Sequence, residues 1–376
     1  MSDRPLRILH VLRSPVGGLF RHVRDLVRGQ AARGHAVGIV CDATTGGEYA
    51  AAALREIAPH LTLGLSRVPM LRQLGLKDYA ATRHVRERIT ATQPDVVHGH
   101  GAKGAAYARL AAPVSGPLRV YTPHGGSLLY RPGTPVSAFY LLLERLLVAR
   151  TDLFLFESAF IARLFRTKVC DPPKPAVVVP NGVGPDEFQA VPLRADATDI
   201  LYIGELRALK GVDILLDALA ALRESGLPLT ATLVGAGRAR ADLKQQAQRL
   251  GLGETVRFVP PTPARAAFAL GRVMVVPSRA ESFPYIVLEA AAAAKPLVVT
   301  RVGGIADIYG PEAERLIPPD DVAALARALR EAINHPDRSA EAARLLQERV
   351  RHTFGLDRMI DEGIAAYRAA IGARKS

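Results

Sequence analysis

Glu281-Ser-Phe-Pro-Tyr-Ile-Val-Leu-Glu289 follows the apolar run Val273 to Val276 and leads into Ala290 to Pro296. The apolar run reads as a buried strand, and Pro284 stands where a helix begins, since proline is tolerated in the first turn. From there to Lys295 most residues are good helix formers. The pattern is therefore a strand, a short loop carrying Glu281, and a helix carrying Glu289 near its first turn. A helix start presents backbone N–H groups and a positive dipole end, which suits phosphate. Two carboxylates beside an anion site need hydroxyls or a cation as partners, and vicinal sugar hydroxyls serve well. The local chemistry points to a phosphorylated, hydroxyl-rich ligand such as a nucleotide sugar. The plainer alternative is a loop with one helix-start Glu and one surface Glu on a helix.

The stretch also resembles the Glu–seven residues–Glu signature of retaining glycosyltransferases of family 4, the glycosyl transferases group 1. Those enzymes have the α/β GT-B fold, two Rossmann-like domains facing across a cleft. The family's usual Gly after the Phe is Pro284 here. Proline has no N–H, so the amides of Tyr285 and Ile286 become the candidates for the diphosphate. The resemblance implies donor contacts at Glu281, Ser282, Phe283, Tyr285, Ile286 and Glu289, with Glu289 on ribose hydroxyls and Glu281 on the sugar.

The chain has 376 residues, 49% hydrophobic and 23% charged, enough for two domains with full cores. Its two cysteines, Cys41 and Cys170, exclude a disulfide scaffold and fit a reducing compartment. Met1 to Pro5 lead straight into a strand without a signal peptide, and the most apolar run, Tyr140 to Val148, is broken by Glu144 and Arg145. The expectation is a cytoplasmic protein. The net charge of +13 is lopsided: residues 1–183 hold 24 Lys+Arg against 12 Asp+Glu, and the remainder 25 against 24. A basic half calls for an anionic partner, whether membrane lipid, a phosphorylated acceptor or nucleic acid.

Arg7 to Leu12 reads as a buried parallel strand, followed by Ser14-Pro-Val-Gly-Gly18 and a helix from Leu19 to about Arg33. Strand, glycine loop and helix make a phosphate-approach geometry. Gly17 and Gly18 resemble the glycine loop that touches the donor in family 4. Arg21, Arg24 and Arg28 share one helix face, which suits either an acidic membrane surface or plain solvent. Asp95 to His100 is a strand with His98 and His100 at its end. With no Cys or carboxylate nearby to complete a ligand set, they read as structural rather than metal ligands. Arg119-Val-Tyr-Thr-Pro-His-Gly-Gly126 places His124 at another strand end. It resembles the family's Thr-x-His-Gly tract, whose His lies beside the transferred sugar. Thr134 to Arg150 is a helix, with Leu141 to Leu147 giving its apolar face. Pro180-Asn-Gly-Val183 resembles the family's domain junction.

In the second half, Asp199 to Gly204 is a strand, Glu205 to Gly211 a loop, and Val212 to Arg223 a helix. Arg207 and Lys210 lie where two cations clamp a leaving diphosphate. The family shows Gly-Arg-Leu, three residues, Lys-Gly. Here Lys210 and Gly211 match but Glu205 replaces the Arg, and Arg207 is assigned the missing charge. Gly235-Ala-Gly237 is a turn whose family equivalents border the nucleotide.

The expected organisation is an acceptor-binding domain over 1–183, a donor-binding domain over 184–355, and a last helix, about 356–376, that packs back on the first. The expected activity is transfer of a hexosyl group from a nucleotide diphosphate sugar to an acceptor hydroxyl, in cell-surface polysaccharide or lipid-linked glycan assembly. The catalytic set is His124, Arg207, Lys210 and Glu281, with no metal and no cofactor. Partners are the donor, an acceptor glycan or lipid-linked glycan, and an acidic membrane surface at which the protein would be peripheral. Nucleic acid is not expected, because no reader motif is present. A sugar-nucleotide epimerase and a non-catalytic nucleotide-sugar binder are the alternatives.

Overall fold

The computed structural model describes residues 4–130 and 133–375. The chain divides into two units. Unit 1 takes in residues up to Asn181 together with Leu356 onward, and unit 2 is Gly182–Gly355.

Unit 1 is a seven-stranded parallel sheet of β1 Arg7–Leu12, β2 Ala36–Asp42, β3 Gly64–Val68, β4 Val96–His100, β5 Leu118–Thr122, β6 Leu153–Phe156 and β7 Ala176–Val178. The order is β3-β2-β1-β4-β5-β6-β7. The chain starts in the middle, winds outward to β3, then returns past β1 to wind the other way. That reversal opens a crevice beyond the C-terminal ends of β1 and β4, where open parallel sheets bind ligands. Every residue of β4 and β5 is buried, the polar His98, His100, Arg119 and Thr122 included, so these central strands are covered on both faces. The helix Leu356–Lys375 belongs to this unit. Its Met359, Ile360, Ile364 and Tyr367 complete a core with Leu6, Ile8, Leu26, Val96 and Val120. Gly29 lets it approach closely, because a Cβ there would fall 2.0 Å from Ile360 Cδ1. Arg33 fixes it by pairing with Asp357 and Asp361 at 2.9 and 2.6 Å.

Unit 2 repeats the plan with five strands, β8 Thr198–Ile203, β9 Ala231–Val234, β10 Val256–Val259, β11 Gly271–Val276 and β12 Leu297–Val299. Their order is β10-β9-β8-β11-β12, all parallel. The winding reverses between β8 and β11, so this sheet has its own crevice at their C-terminal ends. Two doubly wound α/β units of this kind constitute the GT-B fold.

Three local expectations are corrected. The helix after β1 is Gly17–Ala32, so both glycines lie inside its first turn rather than in a preceding loop. Gly17 has φ +66, a conformation that glycine alone adopts without strain. The arginine face of this helix is not open: Arg21 pairs with Asp25, Arg28 with Glu56 at 2.5 Å, and Arg24 lies against Phe20 with its Nε buried. The helix Pro135–Val148 buries Ser137, Glu144 and Val148 instead of its leucines. The reason is electrostatic. Arg109 is fully buried over the Tyr121 ring, and Glu144 turns inward to bond Arg109, the Tyr121 hydroxyl and Ser127. A buried guanidinium without a carboxylate is far more costly than an exposed leucine.

Replacing Glu144 by Ala strands the Arg109 charge and is expected to cost about 3–5 kcal/mol. Scanning calorimetry of Glu144→Ala should show the transition of unit 1 moved down and that of unit 2 unchanged. A variant as stable as the wild type would refute this account of the inverted helix.

Candidate functional site

The crevice of unit 2 is shaped by two loops that hold each other. After β11, Arg279 N–H donates to the Leu209 carbonyl at 2.9 Å, and the Arg279 guanidinium binds Asp213 and Asp320, both at 2.6 Å. Gly211 makes this approach possible: a Cβ there would lie 2.0 Å from the Pro277 oxygen. Within this frame Lys210 Nζ meets Glu281 Oε1 at 2.6 Å, and Ser278 Oγ donates to the same oxygen at 2.7 Å. Glu281 is 8% exposed, so the pair is set in place before any ligand arrives. Gly303 packs its Cα so near the Glu281 carbonyl that a Cβ would sit 1.9 Å away. Gly304 N–H donates to the Ser282 carbonyl.

Pro284 caps the following helix, which runs Tyr285–Ala292. It is shorter than the sequence suggests because Ala294, at φ +50, reverses the chain. The Lys295 N–H closes on Ala290 O, and Pro296 prevents continuation. Glu289 therefore lies in the second turn rather than the first. The amides of Tyr285 and Ile286 lie in the first turn, as does that of Val287, which donates to Pro284 O. Phe283 is a core side chain, with its ring 5.5 Å from Phe354, and Tyr285 is likewise buried. Their side chains position the loop and the helix start. Ser282, Ile286 and Glu289 are half-buried. Arg207 forms an ion pair with Glu205 at 3.1 Å, so the residue that replaces the usual Arg holds the proposed substitute.

In unit 1 the register of the sheet assembles a cluster. His10 of β1 lies directly opposite His98 of β4, and His100, two residues on, points to the same face. The helix Gly17–Ala32 lies over that face and lowers His22 and Gln30 onto it, two turns apart. His124 enters from the end of β5. Gln30 Oε1 meets His10 Nε2 at 2.9 Å, His10 Nδ1 meets His100 Nε2 at 2.9 Å, and His100 Nδ1 meets His124 Nε2 at 3.1 Å. With the Gln30 carbonyl facing His10, each ring donates from Nε2, and His124 keeps Nδ1 as an acceptor. His98 bonds Tyr367 and Thr122 at 2.7 and 2.8 Å. His22 packs 4.9 Å ring to ring from His124, which ties the helix carrying Gly17 and Gly18 to His124.

His124 itself has φ +51, and the next residue, Gly125, is at φ 76 and ψ −65. There Gly126 N–H closes on His124 O at 3.0 Å, a γ-turn of the rarer, strained hand. Non-glycine residues held this way concentrate at functional sites. Beside the turn, at the end of β6, Glu157 is buried and neither carboxylate oxygen has a hydrogen-bond partner. Burial pushes its carboxyl up to about 7, and the nearby amides of Glu157, His124 and Gly125 oppose the rise without reaching bonding geometry.

These residues correct the isolated view of His98 and His100: three more histidines, from β1, the first helix and the end of β5, join them. Two triads, His10/His98/His100 and His22/His100/His124, each bring ring nitrogens within 4.8 Å. Neutral imidazoles so placed are donors that a zinc-like ion accepts. The hydrogen-bond chain already employs several of the same nitrogens. Sequence reasoning missed His10, His22, Gln30 and Glu157. The alternation of His98 and His100 was the signal that one sheet face is polar, but only the register shows what faces them.

Residues 16–187 match the family model described as Glycosyltransferase Family 4, and residues 197–335 that of Glycosyl transferases group 1. The chain is 30% identical to a D-inositol 3-phosphate glycosyltransferase of Streptomyces coelicolor over 94% of this chain and 87% of that protein. The chain belongs to the group 1 glycosyltransferases of family 4. Solved structures of similar fold include sucrose-phosphate synthase from Thermosynechococcus elongatus (TM-score 0.81, 21% identity, 98% of this chain and 100% of that one). Anabaena Alr3699/HepE in complex with UDP and glucose is another (TM-score 0.79, 19% identity, 97% of this chain and 100% of that one). Among the described residues no helix is long and apolar enough to cross a membrane.

In this glycosyltransferase the histidine cluster is uncharged. Burial lowers His10 to about 4 and His22 to about 3, and holds His98, His100 and His124 well below the ordinary imidazole value. Their folded values lie below the unfolded 6.5, so their stabilisation is complete above that pH and is lost as pH falls. His10 alone accounts for about 2 kcal/mol of lost stability by pH 5. Glu157 acts oppositely, because its raised value favours the folded state in acid and disfavours it as pH rises from 4.5 through about 7. Thermal stability is expected to fall between pH 7 and 5, less steeply in His10→Gln and more steeply in Glu157→Gln. Parallel pH profiles for all three proteins would overturn this assignment.

Proposed function

We propose that the protein is a retaining glycosyltransferase that moves a hexosyl group from a nucleoside diphosphate sugar to an acceptor hydroxyl, in cell-surface polysaccharide or lipid-linked glycan assembly. The observation that carries the reading is the Lys210–Glu281 pair at the crevice of unit 2, beside a helix start. A diphosphate is a stronger partner for Lys210 than one carboxylate. When it arrives, Lys210 turns to the phosphates and Glu281 is released to accept sugar hydroxyls. The amides of Tyr285 and Ile286 meet the phosphates at the positive end of the helix. Glu289 takes ribose hydroxyls, and Ser282 and Phe283 hold the loop.

Arg207 is proposed to exchange Glu205 for the diphosphate, giving a second cation for the departing group. Gly17 and Gly18 are proposed donor contacts, and His124 is proposed to hydrogen-bond the transferred sugar through the nitrogen its neighbours leave bare. A uridine diphosphate donor is favoured by the UDP and glucose of the Anabaena relative. The basic first half favours an acidic acceptor, such as a phosphorylated sugar alcohol or a lipid-linked phosphate glycan. The protein is proposed to act in the cytoplasm, peripheral to the inner face of the membrane, without a metal.

The test is product formation from UDP-hexoses with acceptor extracts, with and without EDTA. Lys210→Ala is expected to lower kcat/KM by about 100- to 1000-fold, Arg207→Ala less, and EDTA to leave the rate unchanged. Donor binding without turnover would leave a nucleotide-sugar sensor, and acceptor-independent conversion of the donor an epimerase. Activity abolished by EDTA and restored by zinc would direct attention to the histidine triads.

A further inference from the structure

The helix Pro135–Val148 is amphipathic the wrong way round. At about 100° per residue, Pro135, Val136, Phe139, Leu142, Leu143 and Leu146 fall within an arc of roughly 120°. That arc faces outward. Val136 is 58% exposed, Phe139 49%, Leu142 53% and Leu146 64%. The opposite face holds Ser137 and Glu144, locked in by Arg109, Tyr121 and Ser127. The helix cannot roll its leucines inward without stranding the buried guanidinium. The apolar face is thus a fixed part of the surface and not a packing fault.

The charges that flank it in sequence are mostly of one sign. Between residues 135 and 174 lie Arg145, Arg150, Arg163, Arg166, Lys168 and Lys174. Of the four acids in that span, Glu144 and Glu157 are buried and Asp152 is bound to Arg119 at 2.8 Å. Only Asp171 stands exposed, paired with Arg166. Arg145 reaches the Val169 and Lys168 carbonyls, so the cation-rich helix Ala159–Lys168 ends beside this one.

We propose that the outward face of Pro135–Val148 is a monotopic docking surface for a bilayer rich in anionic phospholipid. Phe139, Leu142 and Leu146 sink into the boundary between headgroups and acyl chains, and the flanking cations meet lipid phosphates. A second copy of the chain would meet a surface of like charge, and one face of about four turns is short of the ~800 Å² a side that a specific complex buries. An interfacial helix needs only to bury one side, with cations to reinforce it. The lipid-linked acceptor of the proposed function gives this docking its purpose and is the reading it extends. The geometry is independent of the donor site.

The experiment uses the full chain with neither donor nor acceptor. Partition into phosphatidylcholine vesicles is compared with that into vesicles containing phosphatidylglycerol. The chain has no tryptophan, so Leu146→Trp supplies a single emission reporter. Salt-sensitive binding to the anionic vesicles is expected, with a blue shift of the reporter. Phe139→Asp combined with Leu146→Asp should reduce partition by about tenfold or more at unchanged melting temperature, since both sites face solvent. Failure of the wild type to bind anionic vesicles would overturn the proposal and leave the transferase reading standing. So would equal binding by the double variant. A wild-type dimer that the double variant dissolves would overturn it in favour of a second copy as the occupant.

Discussion

Imidazole rings buried at the heart of a sheet can be held only if their nitrogens pair with one another or with fixed neighbours. In unit 1 that requirement is met by register. β1 and β4 align His10 with His98, and the period of two turns His100 to the same side, one step along. Gln30 and Tyr367, from two helices separated by most of the chain, close the ends of the network. The helices cannot slide without breaking it, so the polar cluster fixes the packing as firmly as the leucines around it. It also holds His124 in a conformation the residue would not choose alone, one nitrogen engaged and the other turned elsewhere.

Unit 2 reaches a comparable end with charge instead of neutral rings. Glu281 shares one oxygen between Lys210 and Ser278, and the glycines at 211 and 303 remove the side chains that would hold the loops apart. The cation and the carboxylate neutralise each other. A ligand with an anionic part and a hydroxyl part satisfies both members at once, whereas one with only one of these leaves a charge unmatched. Under the proposed function, this pairing would favour a molecule that is phosphate at one end and sugar at the other.

Much of this was legible in the sequence. Parallel strands buried on both faces are short apolar runs, and they were placed to within about a residue or two at most positions. Lys210 and His124 stood out because each has a glycine or proline beside it, and Glu281 because it lies in the loop between an apolar strand and Pro284. What could not be read depends on contacts between distant segments. His10 and Gln30 look like ordinary core positions until β1 is set beside β4. Glu157 looks like a strand-end carboxylate until its lack of partners is seen. The helix Pro135–Val148 misled because hydrophobicity normally predicts the buried side; a buried arginine elsewhere reversed it. Arg207 was read as a free cation because its bond to Glu205, two residues away in an irregular loop, has no periodic signature.

The helix Leu356–Lys375 is counted with unit 1, although all of unit 2 separates it from the rest of that unit. During synthesis the first 181 residues emerge with the places of Ile360, Tyr367 and their neighbours unfilled, and His98 without its tyrosine. Unit 2 is continuous in sequence and can close as soon as it leaves the ribosome. The unit made first is thus completed last. Until the final helix arrives, a nascent chain exposes an apolar groove over β1, β4 and β5, and that interval is when it most needs protection from its neighbours.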